Sequence, residues 1–158
     1  MIKTFAQILS EEKIDTIEDA LKAALDHANE SPFWSQKVMP LAHAVLSVTV
    51  PLRDQHLLFD PEGNPQPSLS PALLLRWCDL VSLKTLAFTL QKSNTAGTLM
   101  RTKYGEAEAV EYAPIDLNVL GSYLSSYTIN LENEALDFPI AHYNLHTGIA
   151  DVLRKLMK

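Results

Sequence analysis

Two histidines spaced four residues apart come closest, in this sequence, to a metal-binding pattern. His142 and His146 fall in a segment of helical periodicity, where residues i and i+4 lie on one face of a helix. Two imidazoles on one face supply half of a zinc site, and Asp137 or Asp151 could add a ligand. No glutamate occupies the position that zinc proteases use as general base. The pattern therefore favours ordinary surface or packing histidines, and we predict no bound metal or cofactor.

The single cysteine, Cys78, is the next candidate for chemistry. It follows Trp77 in an apolar run, and Arg76 is the one nearby cation in the sequence, so a buried structural thiol is favoured over a nucleophile. Trp34 and Trp77 occur at helical spacing among apolar residues, which predicts core positions rather than a ligand platform. The sequence has no glycine-rich phosphate loop and no G-x-S-x-G elbow. We therefore predict no enzymatic activity for this chain.

The elements that must position these residues are helices. Apolar residues recur at three- and four-residue steps in five blocks, which begin at capping or proline signals and cover residues 16–28, 31–46, 70–92, 114–134 and 138–156. Pro40 is expected to kink or break the second block, and Pro51 to begin a short further helix. Residues 60–67, with three prolines and a glycine, predict a loop.

One further segment is expected to be helical despite weak signals. Residues 94–111 contain Gly97 and Gly105, each of which costs a helix about 1 kcal/mol relative to alanine. Val48, Thr49 and Val50 are β-branched, but three residues do not outweigh the helical period around them. The sequence therefore predicts an all-α protein of six or seven helices with no strand.

Length and composition bound the organisation. The chain has 158 residues, 47% of them hydrophobic and 20% charged, which fits one globular domain over residues 1–158. One cysteine excludes an internal disulfide framework and fits a reducing compartment. No run approaches the roughly 20 apolar residues of a membrane span, and the first residues lack the layout of a signal peptide.

Charge is strongly segregated along the sequence. The net charge of −6 divides into −4 for residues 1–30, +3 for 31–103, −7 for 104–138 and +2 for 139–158. The third segment has no Lys or Arg, and its seven acids are Glu106, Glu108, Glu111, Asp116, Glu132, Glu134 and Asp137. Such a segment is unsuited to a phosphate backbone. Two interpretations stay open, a solvated acidic face and a landing surface for a basic partner.

A run in the second block resembles a known family. Phe33 to Asp60 reads FWSQKVMPLAHAVLSVTVPLRDQHLLFD, with an aromatic pair opening a long apolar helix and a V-P-L-R-D segment following it. This run resembles the all-α domain of type IV coupling proteins, the TraG/TraD/DotL-like ATPases of conjugation and type IV secretion. Residues 6–9, the helix after Thr16 and residues 73–80 are in keeping with that domain.

The resemblance implies a function and a place in the cell. In that family the domain is inserted in a hexameric ATPase at the cytoplasmic face of the inner membrane of bacteria, where it helps to select protein or relaxase–DNA substrates. The chain has no Walker motif, so ATPase activity would belong to a parent protein, and the chain is either a domain of such a protein or a free-standing relative. The isolated domain is expected to be monomeric.

Three functional hypotheses follow. The first is a substrate-recruitment module whose Glu106, Glu108, Glu111 and Asp116 dock the basic, unstructured tails of secretion or relaxase substrates. The second is a DNA-contacting domain that uses the bases of segment 31–103, which are Lys37, Arg53, Arg76, Lys84, Lys92, Arg101 and Lys103. The third is an enzyme or metal protein built around His142 and His146.

Overall fold

The computed structural model describes residues 3–28, 32–103, 106–125 and 140–156. Within these ranges the chain forms seven helices and one two-stranded hairpin. In chain order the elements are α1 (Phe5–Glu11), α2 (Ile14–Ala28), α3 (Pro32–Asp54), α4 (Pro71–Trp77), α5 (Leu80–Ala96), β1 (Thr98–Lys103), β2 (Glu106–Glu111), α6 (Asn118–Ser125) and α7 (Ile140–Leu156). The predicted all-α architecture of six or seven helices is confirmed, with a small hairpin added to it.

Helix α3 is the centre of the bundle and packs against α2, α4, α6 and α7. Every residue from Leu41 to Val50 is buried except His43 and Ser47. A helix that is apolar on nearly all sides must be surrounded by other elements, because a single apolar stripe is enough for a surface helix. The buried Thr49 hydroxyl donates to the carbonyl of Val45 at 2.9 Å, so this polar group is satisfied within the helix.

Helix α3 runs through both of its prolines. The expected new helix at Pro51 is therefore wrong, because residues 32–54 form one element. Each proline removes one backbone donor from the helix, so the carbonyls of Gln36 and Ser47 lack their usual partners four residues ahead. The apolar contacts on all sides of α3 compensate for the two missing bonds. The helix ends at Asp54, and His56 adopts a left-handed φ of 59° just beyond it.

The long helix expected over residues 70–92 is two helices. Ser70 caps α4 by accepting from the Leu73 amide at 3.1 Å, and Pro71 occupies its first turn, as the sequence indicated. α4 then ends at Trp77, and the Asp79 carboxylate accepts from the Ser82 amide at 3.1 Å to cap α5. An aspartate that can cap a new helix competes with helix continuation, which explains the break.

The helix expected over residues 94–111 is the clearest error. Helix α5 ends at Ala96, and Gly97 takes a left-handed φ of 75° as its cap. Residues 98–103 and 106–111 then form the antiparallel strands β1 and β2 of a hairpin, in which Leu99 pairs with Val110 and Met100 pairs with Ala109. Gly97 stops the helix because an L-residue with a side chain rarely adopts this conformation. Gly97 therefore marks the end of a helix, and Gly105 lies outside the described residues.

The last two helices agree only in part with their predicted bounds. α6 begins at Asn118 rather than at Pro114, and the structure describes it to Ser125. The expected continuation to residue 134 lies outside the described residues, as do Glu132, Glu134 and Asp137. α7 covers 140–156, close to the predicted 138–156, with Arg154 and Lys155 in its last turn. In the described part of the chain, no helix is long and apolar enough to cross a membrane.

Candidate partner-binding surface

The hairpin carries three of the four acids predicted to bind a partner. Along β2, Glu106, Glu108 and Val110 occupy alternate positions and share one face, whereas Glu111 lies on the other face. Asp116 lies beyond the hairpin, where its carboxylate accepts from the Asn118 amide at 2.9 Å as α6 begins. The structure thus brings Glu106 and Glu108 together on one face and separates them from Glu111 and Asp116.

The strand register places cations opposite these acids. Lys103 pairs with Glu106, and Arg101 pairs with Glu108. Residues directly opposite in an antiparallel pair share a face, and opposite charges there stabilise the pair by about 0.2–1 kcal/mol. The boundary between the +3 and −7 segments of the sequence therefore falls between the two strands.

One side of the hairpin is attached to the helices and the other is exposed. Leu99 is buried and its partner Val110 is partly buried against the hydrophobic core. On the opposite face Met100 is 58% exposed, and Ala109 beside it is exposed. Among the described residues Met100 stands out as the exposed large apolar side chain. Glu111 shares this exposed face, whereas the other two acids of β2 lie on the face of Val110.

Two side-chain amides hold the chain directly after the hairpin. The Asn94 carbonyl oxygen accepts from the Tyr112 hydroxyl at 2.7 Å and from the Ile115 amide at 2.9 Å, and its NH₂ group donates to the Ile115 carbonyl at 2.8 Å. Gln55, just past the end of α3, makes two bonds with the backbone of Ala113. These contacts fix the hairpin relative to α3 and α5.

The seven bases of the DNA-binding hypothesis lie on four elements. Two of them, Arg101 and Lys103, are on β1. The other five are on three helices: Lys37 and Arg53 on α3, Arg76 on α4, and Lys84 and Lys92 on α5. The Arg53 guanidinium is 10% exposed and donates to the Leu9 carbonyl at 2.8 Å. Arg76 binds Glu62 and lies 3.4 Å from the Asp60 carboxylate. Lys84 is 3% exposed, with its ammonium 5.8 Å from the centre of the Phe88 ring.

Direct phosphate contact by all seven bases would require rearrangement around Lys84 and Arg53. The DNA hypothesis stays a prediction. It is tested by the salt dependence of oligonucleotide binding, since each neutralised phosphate steepens that dependence.

A groove of about 400 Å³ opens between α3, α6 and α7. Its lining includes Lys37, Pro40, His43, Val119, Tyr123 and Ile149. The His43 Nδ1 atom contacts the Glu18 carboxylate on α2, which fixes the imidazole ring at the groove wall. The groove is lined mainly by apolar groups and lies on a different set of elements from the hairpin.

His146 has a structural role inside the bundle. It is 3% exposed, its Nε2 contacts the backbone carbonyl of Cys78, and its Nδ1 lies 3.3 Å from the Tyr123 hydroxyl. This arrangement ties α7 to the α4–α5 junction and to α6, so His146 is a packing histidine as predicted. The side chain of His142 lies outside the described residues. No group of three potential metal ligands occurs in the described ranges.

Cys78 is the buried structural thiol that the sequence indicated. It is fully buried, and burial raises its pKa to about 12. A thiol with that pKa is almost entirely protonated at neutral pH and is a poor nucleophile.

The buried His146 predicts a pH-dependent stability. Burial lowers its pKa below the usual 6.5, outweighing the opposing effects of the Cys78 carbonyl and of Asp79. The unfolded chain therefore binds a proton at higher pH than the folded chain does. The stabilising contribution is fully present above pH 6.5 and is lost as pH falls from there towards the folded pKa.

We expect urea unfolding between pH 7.5 and 5.5 to show a decreasing free energy of unfolding, and the decrease to be smaller in His146→Gln. The exposed His27 provides the matched control, His27→Gln, which should keep the wild-type slope. Equal slopes in wild type and His146→Gln would contradict this assignment.

Comparison with protein-family models, with curated proteins and with solved structures found no match to the chain.

Proposed function

We propose that the chain is a non-enzymatic recruitment module of the type IV coupling-protein kind, which docks basic tails of secretion or relaxase substrates at the cytoplasmic mouth of the transfer channel. The observation that carries the proposal is the position of Glu106 and Glu108 two residues apart on one face of β2, where Glu106 is exposed and Glu108 is partly exposed. The resemblance of residues 33–60 to the coupling-protein domain supports the same function. In the structure this run covers most of α3, whose last turn contains the V-P-L-R-D segment.

An acidic row on a hairpin suits a flexible basic partner for physical reasons. Side-chain carboxylates near the surface attract Lys and Arg over about 10 Å at 0.1 M salt, which speeds association. A disordered tail loses conformational entropy when it becomes ordered on binding. The affinity of the tail for the hairpin therefore stays modest, and the complex is reversible. Both properties fit a module that must hold a substrate and then release it.

The proposal is tested by the binding of a fluorescent Lys-rich peptide to wild type and to Glu106→Gln/Glu108→Gln. If each acid contributes about 0.2–1 kcal/mol, the double variant should bind about 2- to 30-fold more weakly at 50 mM salt. The matched control is Asp19→Asn/Asp26→Asn, which removes two exposed acids from α2 and changes the net charge equally. It should bind nearly as wild type does.

The salt dependence of peptide binding gives a second test of the recruitment proposal. Raising the salt to 500 mM should weaken the wild-type complex and reduce the difference between the variants, because exposed charges are screened. An unchanged dissociation constant for Glu106→Gln/Glu108→Gln, or an equal loss in the α2 control, would overturn the proposal.

A further inference from the structure

The edge of β2 that faces away from β1 carries backbone polar groups that can be identified from the strand register. The Tyr112 amide donates to the Gly97 carbonyl at 3.3 Å, which is one of the two bonds of a hydrogen-bonded pair in an antiparallel ladder, while the Gly97 N–H donates to the Ser93 carbonyl instead. Such pairs alternate along the ladder with non-hydrogen-bonded pairs. The backbone N–H and C=O groups of Ala107, Ala109 and Glu111 therefore point away from β1. In the described ranges the sheet consists of β1 and β2 alone, so no third strand occupies this edge.

Immediately beyond β2, the side chain of Gln55 makes the backbone hydrogen bonds that a neighbouring strand would make. Hydrogen-bonded and non-hydrogen-bonded positions continue to alternate past Tyr112. The backbone N–H and C=O groups of Ala113 therefore point to the same edge as those of Glu111. The Gln55 amide donates to the Ala113 carbonyl at 3.0 Å and accepts from the Ala113 N–H at 2.8 Å. This is the paired donor and acceptor pattern that an added strand provides. This edge is thus filled at residue 113, and no strand of the part of the chain that the structure describes pairs with it at residues 107–111.

The charges and apolar residues of the hairpin define what an added strand would contain. On one face, Glu106 and Glu108 would lie between the β1 positions Arg101 and Lys103 and the new strand. Basic residues at alternate positions of the new strand would lie directly beside these two acids. On the other face the new strand would lie beside exposed Ala109, which favours apolar residues at the intervening positions.

We propose that the partner's tail binds as a third β-strand along the free edge of β2, with basic and apolar residues in alternation. This inference rests on the proposed recruitment function and adds the mode of binding and the sequence pattern. Main-chain hydrogen bonds to residues 107–111 supply affinity for any extended peptide, and the alternating side chains supply selectivity. A hairpin of two strands is marginal by itself, so a third strand also stabilises it.

Amide hydrogen exchange measured by NMR tests the mode of binding directly. The probe is a synthetic ten-residue peptide of alternating Lys and Val, added at about ten times its dissociation constant. Exchange at Ala107, Ala109 and Glu111 should slow about tenfold, because an amide bonded in the complex exchanges only from the free fraction. Thr98, Met100 and Thr102 on the opposite edge are the internal control and should keep their rates.

A proline variant provides a second readout. Ala109→Pro removes an outward N–H and places its ring on the free edge, while the bonds between β1 and β2 are left intact. We expect it to weaken peptide binding at least tenfold. Met100→Pro, which changes the directly paired residue and faces the opposite edge, should bind nearly as wild type does.

The outcomes separate this inference from the function on which it rests. Peptide binding that depends on Glu106 and Glu108 without slowed exchange at 107–111 would overturn the edge-strand mode and leave recruitment standing. Slowed exchange on β1 instead would also overturn it. Absence of peptide binding to the folded wild type would overturn both proposals.

Discussion

Replacing Trp77 with alanine is expected to lower the free energy of unfolding by about 3–5 kcal/mol. Trp77 is 3% exposed, and its indole N–H donates to the Phe59 carbonyl at 3.0 Å. Its ring also meets the Phe59 ring edge-on, with centroids 5.6 Å apart. Alanine would leave a large cavity at the end of α4 and an unpaired carbonyl in the loop that follows α3. Urea unfolding followed by circular dichroism measures the change.

A second substitution at the same position separates packing from hydrogen bonding. Trp77→Phe keeps an aromatic ring against Phe59 and loses the indole N–H, so its cost should fall between wild type and alanine. A loss below about 1 kcal/mol for Trp77→Ala would contradict the burial of this ring, since full deletion of a buried indole cannot be that mild.

Replacing Asn94 with alanine is expected to cost about 2–4 kcal/mol, because three hydrogen bonds are lost and their partners stay half-buried. The partners are the Tyr112 hydroxyl and both backbone groups of Ile115. These groups connect the end of the hairpin to α5, so the variant should also loosen the proposed binding edge. Urea unfolding gives the stability, and amide exchange in β2 reports the loosening.

The control for Asn94 is Gln91→Ala, an exposed amide one turn earlier on α5. It should change the stability by less than about 0.5 kcal/mol, as exposed substitutions usually do. Equal effects of the two substitutions would show that Asn94 acts through helix propensity rather than through its bonds to the chain after β2.

The helical architecture was predictable because its signals are local and agree with one another. The stripe of α2, the Ser70–Pro71 start of α4 and the basic last turn of α7 each depend on residues within a few positions. The continuity of α3 was not predictable in the same way. Two prolines argue locally for breaks, and much of the packing that overrides them comes from α6 and α7, which are distant in sequence.

The hairpin was missed because the two possible structures of residues 94–111 differ little in local preference. Alanine and glutamate favour helix in β2, and the deciding features are the left-handed Gly97 and the pairing of Leu99 with Val110. The complementary charges on either side of residues 104 and 105 were a readable signal of that pairing. The total charge of each sequence segment concealed this signal. Such a total gives the sign of the charge along the chain, and it does not show which residues would lie opposite each other in two strands.

The candidate acids were found by composition, and their grouping required the structure. Strand alternation places Glu106 and Glu108 on one face and Glu111 on the other, which a helical assignment could not give. The edge at Ala107, Ala109 and Glu111 had no sequence signal, since backbone groups are the same in every residue.

The measurement that tests the central claim most directly is a double-mutant cycle between β2 and the alternating peptide. Glu106→Gln and Glu108→Gln would each be combined with single Lys→Gln changes along the peptide, and binding measured for every combination. A docked strand predicts that each glutamate couples with one lysine by about 0.2–1 kcal/mol. The two coupled lysines should lie two residues apart. Equal coupling to every lysine, or none to any, would contradict a basic strand docked at this edge.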